Sequence, residues 1–128
     1  MPVEVHLRRS KTPITPDEWR AAIEATPNAR LKTDDWTAVA RTTVATVVTL
    51  PHNPLDLDVF FPDENRWLGV FRGTQLRSGQ LKISARHTVM AEPAVRAVLR
   101  ALTKRLGATV ETDSGTPYNL KTGLPRGL

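Results

Sequence analysis

A run of strand-like segments joined by short turns is the feature that most limits the folds open to this chain. Apolar and polar residues alternate over residues 55–61 and 81–85, and residues 66–72 are similarly rich in aromatic and aliphatic side chains. Turn-forming sequences, Pro62–Asn65 and Arg77–Gln80, separate the three segments. Short turns join antiparallel neighbours. The sequence therefore predicts an antiparallel meander in the middle of the chain.

Three further segments favour strands. Residues 3–8 alternate apolar and polar side chains, which indicates a half-buried strand. Residues 36–50 are dense in Thr and Val, whose branched side chains favour extended backbone, so we expect one strand there. Residues 109–111 predict a short final strand.

Two helices are marked by their ends. Thr15, Pro16 and Glu18 make a capping box with Pro at the first helical position, which predicts a helix over 16–25. Pro93 begins a second helix, and Gly107 lies where a C-terminal cap belongs. Between them, apolar residues recur at steps of three and four, forming a single stripe: Val95, Val98, Leu99, Leu102 and Leu106.

These elements predict an α+β fold, an antiparallel sheet of about six strands with two helices packed on one face. The length of 128 residues suits one domain. We expect that domain to span residues 1–118 and residues 119–128, rich in Gly and Pro, to form a flexible tail.

Composition excludes several classes of protein. The chain has no cysteine, so disulfides and cysteine-based metal or redox sites are excluded. The longest nearly apolar run, residues 44–50, is too short to cross a bilayer. No apolar segment follows a basic start at the N-terminus, so we expect no secretory signal, no membrane partner and a cytoplasmic location.

Charge is unevenly distributed along the chain. The net charge is +5, but residues 34–64 carry −5 and residues 65–105 carry +8. A positive region of this size attracts anionic partners, either nucleic acid or an acidic protein surface. The residues that we predict to bind a partner lie in this basic half: Arg66, Arg72, Arg86, Arg96, Arg100, Lys104 and Arg105.

Three of these cations are spaced by four residues on the second predicted helix. Arg96, Arg100 and Lys104 therefore form one stripe, with Arg105 beside it, and only Glu92 offers a carboxylate at helical spacing. The alternative is an ordinary solvated helix face. Whether the helix cations share a surface with Arg66, Arg72 and Arg86 does not follow from the sequence.

Catalytic and metal-binding motifs are not evident. We interpret His6 as a solvated surface residue, and Asp56 and Asp58 as a solvated acidic strand face rather than as metal ligands with His52. For His87, no sequence motif such as a nucleophile elbow indicates a nucleophile–base pair. We therefore expect no catalytic residue, no metal and no cofactor. An enzyme whose active site uses the acidic segment 34–64 is the third and least favoured hypothesis.

Several motifs together resemble a loose group of small bacterial proteins. They are the N-terminal strand, Ile14-Thr15-x-x-Glu18-Trp19, a meander with Trp67 and Phe71, the helix end from Leu102 to Val110, Asp113-Ser114-Gly115 and Tyr118. Some members of the group look like immunity partners of secreted polymorphic toxins. The resemblance implies a non-enzymatic protein that occludes an acidic toxin domain through a charged surface.

The alternative function is a nucleic-acid-binding accessory protein. A basic helix stripe can contact phosphates, and Trp67 and Phe71 next to Arg66 and Arg72 are able to stack on bases. We favour core positions for these aromatic residues. The expected function is therefore protein binding, and nucleic-acid binding is the alternative.

Overall fold

The computed structural model describes residues 4–40 and 46–126, with the backbone alone for 37–40 and 46–50. It is an α+β fold, as predicted, with a six-stranded antiparallel sheet and two helices. The elements in chain order are β1 (Glu4–Arg8), α1 (Pro16–Glu24), β2 (Ala29–Leu31), β3 (Trp36–Ala40), β4 (Thr46–Leu50), β5 (Leu57–Phe61), β6 (Arg66–Gln75), β7 (Leu81–Arg86), a 3-10 helix (His87–Ala91), α2 (Pro93–Leu106), β8 (Thr109–Thr112), β9 (Tyr118–Asn119) and β10 (Leu124–Pro125).

The main sheet has the strand order β2-β5-β6-β7-β1-β8. Its centre is the predicted meander, because β5 pairs with β6 and β6 pairs with β7. The N-terminal strand β1 lies between β7 and β8 and pairs with both in antiparallel register.

One strand prediction differs from the structure. The segment 36–50, expected as a single strand, contains β3 and β4, which pair with each other from Trp36↔Leu50 to Ala40↔Thr46 and not with the main sheet. The sixth place in the main sheet belongs to β2, which pairs with β5. Thr and Val density predicts extended backbone, but it does not mark the point where that backbone reverses.

The helix ends follow the predicted signals. At α1, the Thr15 side chain accepts from the Glu18 N–H while the Glu18 carboxylate accepts from the Thr15 N–H, a complete capping box. At the end of α2, Gly107 takes the left-handed conformation with φ of 62°, which costs a residue without Cβ little.

Both helices cover one face of the sheet. They contact each other, and their buried side chains belong to one core with the strands. Trp19 of α1 and Leu99 of α2 are both fully buried, and the Trp19 indole N–H donates to the Leu55 carbonyl at 2.8 Å. The other face of the sheet, away from the helices, is called the outer sheet face below.

The segment predicted as a flexible tail is described up to Arg126 and contains the hairpin of β9 and β10. Arg100 Nη1 donates to the Leu120 carbonyl at 3.0 Å, which joins this hairpin to α2. No helix within residues 4–40 and 46–126 has the length and apolar character needed to cross a membrane.

Candidate partner-binding surfaces

The outward side of α2 carries most of the predicted helix cations. The apolar stripe of the helix is buried against the sheet, so the opposite side faces solvent. Arg100, Lys104 and Arg105 are exposed there and form no ion pair with any residue that the structure describes. Lys104 and Arg105 also lie in the last turn, where positive charge interacts favourably with the helix dipole.

Arg96 differs from its neighbours on the stripe. It is only half-exposed, because its Nη1 donates to the Met90 carbonyl at 2.8 Å across the start of the helix. Its Nε is buried and has no hydrogen-bond partner within the described residues. Arg96 was predicted to belong to the partner-binding stripe, and in the structure its guanidinium instead holds the end of the 3-10 helix.

The strand cations lie on different sides of the sheet. Directly paired residues point to the same face. Arg72 pairs with Ser84, and Ser84 pairs with His6, while Arg86 pairs with Glu4, so Arg72 and Arg86 lie on the outer sheet face.

Arg66 lies on the helix side of the sheet. It pairs with Phe61, which packs against the core, and its Nε donates to Glu64 at 3.1 Å. The seven predicted cations therefore do not lie on one common surface.

Asp56 is fully buried, so the prediction of a solvated acidic strand face is wrong at this residue. Its Oδ1 accepts from the Gly73 N–H at 2.9 Å. Its Oδ2 accepts from the Asn53 N–H at 2.9 Å and from the Trp36 indole N–H at 2.7 Å. Three donors compensate for the loss of water around this carboxylate.

The same prediction is wrong at Asp58, which is 1% exposed. The Lys32 ammonium lies 3.3 Å from Asp58 Oδ1, and Arg30 Nε lies 3.1 Å from Asp58 Oδ2. Lys32 is itself buried and also contacts Asp34, whose carboxyl pKa it lowers by donating a hydrogen bond. A buried carboxylate between two cations is a structural charge network.

Aromatic rings sit against these cations on the outer sheet face. The Arg30 guanidinium lies 4.3 Å from the centre of the half-buried Trp67 ring. Lys32 and Arg72 lie 5.2 Å and 5.0 Å from the centre of the Trp36 ring. Phe71, in contrast, is fully buried in the core, as favoured from the sequence.

The three histidines have different surroundings. His6 is buried, and its Nε2 lies 2.6 Å from Asp113 Oδ1, so the prediction of a solvated His6 is wrong. His52 Nδ1 lies 2.9 Å from Asp35 Oδ1 rather than near Asp56 or Asp58. These contacts lower the pKa of both partner carboxyls, chiefly through the hydrogen bond from His6 to Asp113 and from His52 to Asp35.

His87 is exposed and begins the 3-10 helix. Within residues 4–40 and 46–126, no three metal-ligating side chains come close enough together to hold a metal ion.

Sequence reasoning missed the partners of the buried carboxylates. The alternation Leu55-Asp56-Leu57-Asp58 was visible, but the donors Arg30, Lys32 and Trp36 come from a distant part of the chain. The available signal was a basic pair and a tryptophan that precede their carboxylate partners by 20 to 28 residues. They do not by themselves indicate that the carboxylates are buried.

Comparisons of the chain with protein-family models, curated proteins and solved structures return no significant match.

Proposed function

We propose that this protein is a non-enzymatic domain that binds an acidic protein surface through the outward side of α2. One observation carries the proposal: Arg100, Lys104 and Arg105 are exposed together and have no carboxylate partner among the described residues. Positive charges that are aligned and uncompensated steer an anionic partner into contact and raise the association rate.

The way in which α2 is held supports this use. Its apolar stripe is packed into the core and its end is capped by Gly107, so the cations are presented on a helix of fixed orientation. A rigid element loses little conformational freedom when it binds. The bond from Arg100 to Leu120 further restricts one of the three side chains.

In the specific form that we propose, the partner is a toxin domain in the cytoplasm and the protein is its immunity partner. The resemblance of the sequence motifs to immunity proteins supports this form. Inhibition by occlusion requires a stable scaffold and a charged face, and it requires no metal, cofactor or catalytic residue of the inhibitor.

A charge-reversal pair tests the surface. Lys104→Glu with Arg105→Glu changes four units of charge on α2, and the control, Arg20→Glu with Arg77→Glu, changes four units elsewhere on exposed residues. The measurement is recovery of protein partners from nuclease-treated cells by photo-crosslinking from exposed Ala97 of α2, followed by the association rate with the purified partner.

We expect the α2 variant to associate about tenfold or more slowly, as for loss of electrostatic steering. The Arg20 and Arg77 variant should keep the wild-type rate. An equal rate for the α2 variant and the wild type would show that the stripe is an ordinary solvated face.

Nucleic-acid binding is a second candidate, and one observation favours it. Trp67 is half-buried on the outer sheet face with Arg30 against its ring, and Arg86 lies exposed on the same face. A partly exposed aromatic ring with a guanidinium group against it, and a further cation on the same sheet face, suits base stacking with phosphate contact.

Titration of a labelled single strand and a duplex, at low and at physiological salt, tests this candidate. Binding that weakens steeply with salt and is lost in Trp67→Ala supports it. If neither nucleic acid binds at low salt, this candidate is excluded.

A further inference from the structure

The pairing of β1 with β7 stops before either strand ends. The two strands pair at Glu4↔Arg86, Val5↔Ala85 and His6↔Ser84 and no further. Yet β1 continues to Arg8 against β8, and β7 begins at Leu81 against β6. The ladder therefore ends at His6↔Ser84, and the space beyond it, between residues 8–14 and residues 76–83, is called the β1–β7 cleft.

Like charge opposes a continuation of the ladder. Continuing the same register would place Arg8 directly opposite Lys82, and like charges at directly opposite positions destabilise a strand pair. Lys82 is exposed and has no ion pair within the described residues. Arg8 Nη1 lies 3.8 Å from Glu111 Oε1, and nearly half of the Arg8 side chain remains exposed.

The cleft is large enough for a ligand. Its volume is about 520 Å³, within the usual range for sites that bind small molecules or peptide segments. Its walls carry four basic side chains, Arg8, Arg9, Lys11 and Lys82, and no acidic one. Arg9 is already engaged by Glu18 at 2.7 Å, so Arg8, Lys11 and Lys82 are the cations open to a ligand.

The cleft also has an apolar side. Leu7 and Ile83 are almost fully buried and line its floor, and Ile14 lies beneath them in the core. At the rim, Leu76 is 42% exposed, which is unusual for a large aliphatic side chain in this protein. The cleft therefore offers cations toward the outer sheet face and apolar surface toward the core.

We propose that the β1–β7 cleft binds an extended segment of the acidic partner in which acidic and apolar residues alternate. Side chains of an extended segment point alternately to opposite sides, so the acidic ones would meet Arg8 and Lys82 while the apolar ones meet the exposed Leu76 at the rim. The acidity of the partner rests on the proposed function.

The cleft adjoins the C-terminal end of α2. Arg9 Nη1 donates to the Leu106 carbonyl at 3.2 Å, and a shallow hollow lined by Ser10, Lys11 and Gly107 connects the two places. One partner therefore has access both to Lys104 and Arg105 and to the cleft. The proposed segment is an extension of the α2 surface rather than an isolated site.

A short labelled peptide of alternating Glu and Val tests the cleft without the partner. The intact protein is titrated while amide NMR shifts and fluorescence anisotropy are followed. We expect shifts concentrated in residues 7–12 and 81–83, and binding about tenfold weaker for the same peptide with Gln in place of Glu. Arg8→Gln with Lys82→Gln should weaken binding by a similar factor.

The matched control is Arg20→Gln with Arg77→Gln, which removes the same charge from exposed positions outside the cleft and should leave affinity unchanged. Lys104→Glu with Arg105→Glu should also leave peptide affinity unchanged. The peptide assay therefore tests the cleft separately from α2, because the partner assay alone depends on Lys104 and Arg105.

Three outcomes would overturn the cleft proposal. The first is no binding of the Glu–Val peptide at low salt. The second is equal competition by free glutarate, which would indicate a site for small anions. The third is a set of amide shifts that lies outside the cleft.

Discussion

The Trp36 indole N–H donates a 2.7 Å hydrogen bond to Asp56, a carboxylate with no exposed surface. This bond joins the start of the β3–β4 hairpin to the residue that precedes β5 of the main sheet. The Trp36 ring lies over Gly69 of β6, where a Cβ would be only 2.7 Å from the ring. Gly69 and Asp56 together fix the Trp36 side chain on the outer sheet face.

Asp56→Asn tests how much stability this arrangement provides. The three N–H donors around Asp56 all require acceptors, and an amide nitrogen accepts none, so at least one donor becomes unsatisfied. We expect a loss of about 2–3 kcal/mol in the free energy of unfolding, measured by urea denaturation.

Asp63→Asn is the matched control, because Asp63 is an exposed turn residue without a hydrogen bond in the described part of the chain. It should change the free energy of unfolding by less than about 0.5 kcal/mol. Equal stability of the two variants would contradict the structural role of Asp56.

The helices were predictable from sequence because their signals are local. Thr15 and Glu18 lie three residues apart, and Gly107 directly follows the last turn of α2. The buried carboxylates were not predictable in the same way. Lys32 lies 26 residues before Asp58 in sequence, and only folding brings the two together.

The antiparallel class of the main sheet was predictable, but not every strand in it. The strand β2 has three residues, Ala29–Leu31, too few to show a period, and it is defined by its pairing with β5. The sequence left open whether the predicted cations share a surface, for a related reason. Whether Arg66 and Arg72 share a face depends on the register shift between Leu57 and Asp58, which no sequence pattern reveals.

Glu18 should make stability depend on pH in the acidic range. The hydrogen bond from Arg9 is the main cause that lowers the pKa of Glu18 from 4.5 to about 2. A carboxyl group whose pKa is lower in the folded state stabilises above its unfolded pKa. That stabilisation is lost as the pH falls from 4.5 toward about 2.

Glu18→Gln should therefore lower stability at neutral pH and flatten its decline between pH 4.5 and about 2, measured by urea denaturation. Glu24→Gln is the control on the same helix, since the Glu24 side chain makes no hydrogen bond within the described residues. If Glu18→Gln and the wild type decline in parallel, Glu18 is not responsible.

Gly123 should hold the C-terminal hairpin against the 3-10 helix. It has φ of +76°, and a Cβ there would lie 2.3 Å from the Met90 carbonyl oxygen. Gly115 also has a positive φ, +89°, but a Cβ there would meet nothing within 4 Å. Comparing Gly115→Ala with Gly123→Ala therefore separates the free-energy cost of backbone strain from the cost of a steric clash.

We expect Gly115→Ala to cost about 1 kcal/mol from backbone strain alone and Gly123→Ala to cost clearly more. Gly123→Ala should also speed hydrogen exchange at the amide of Arg126, which donates to Pro117 at 2.8 Å. Equal costs for the two variants, with unchanged exchange, would contradict this docking.

Lys82→Glu should close the β1–β7 cleft. In the continued register the new carboxylate lies directly opposite Arg8, so a repulsive pair becomes an attractive one. We expect the ladder to extend beyond His6↔Ser84, with slower hydrogen exchange at residues 7, 8, 82 and 83. The gain in unfolding free energy should be about 0.5 kcal/mol, the range of a cross-strand charge pair.

Arg77→Glu is the control for this prediction, because it makes the same change of charge at an exposed turn residue that belongs to no strand pair of the main sheet. It should leave exchange at residues 82 and 83 unchanged. Because the Lys82→Glu protein replaces a cation of the cleft by a carboxylate, it should also fail to bind the Glu–Val peptide. Unchanged exchange at residues 7, 8, 82 and 83 would show that repulsion between Arg8 and Lys82 does not keep the cleft open.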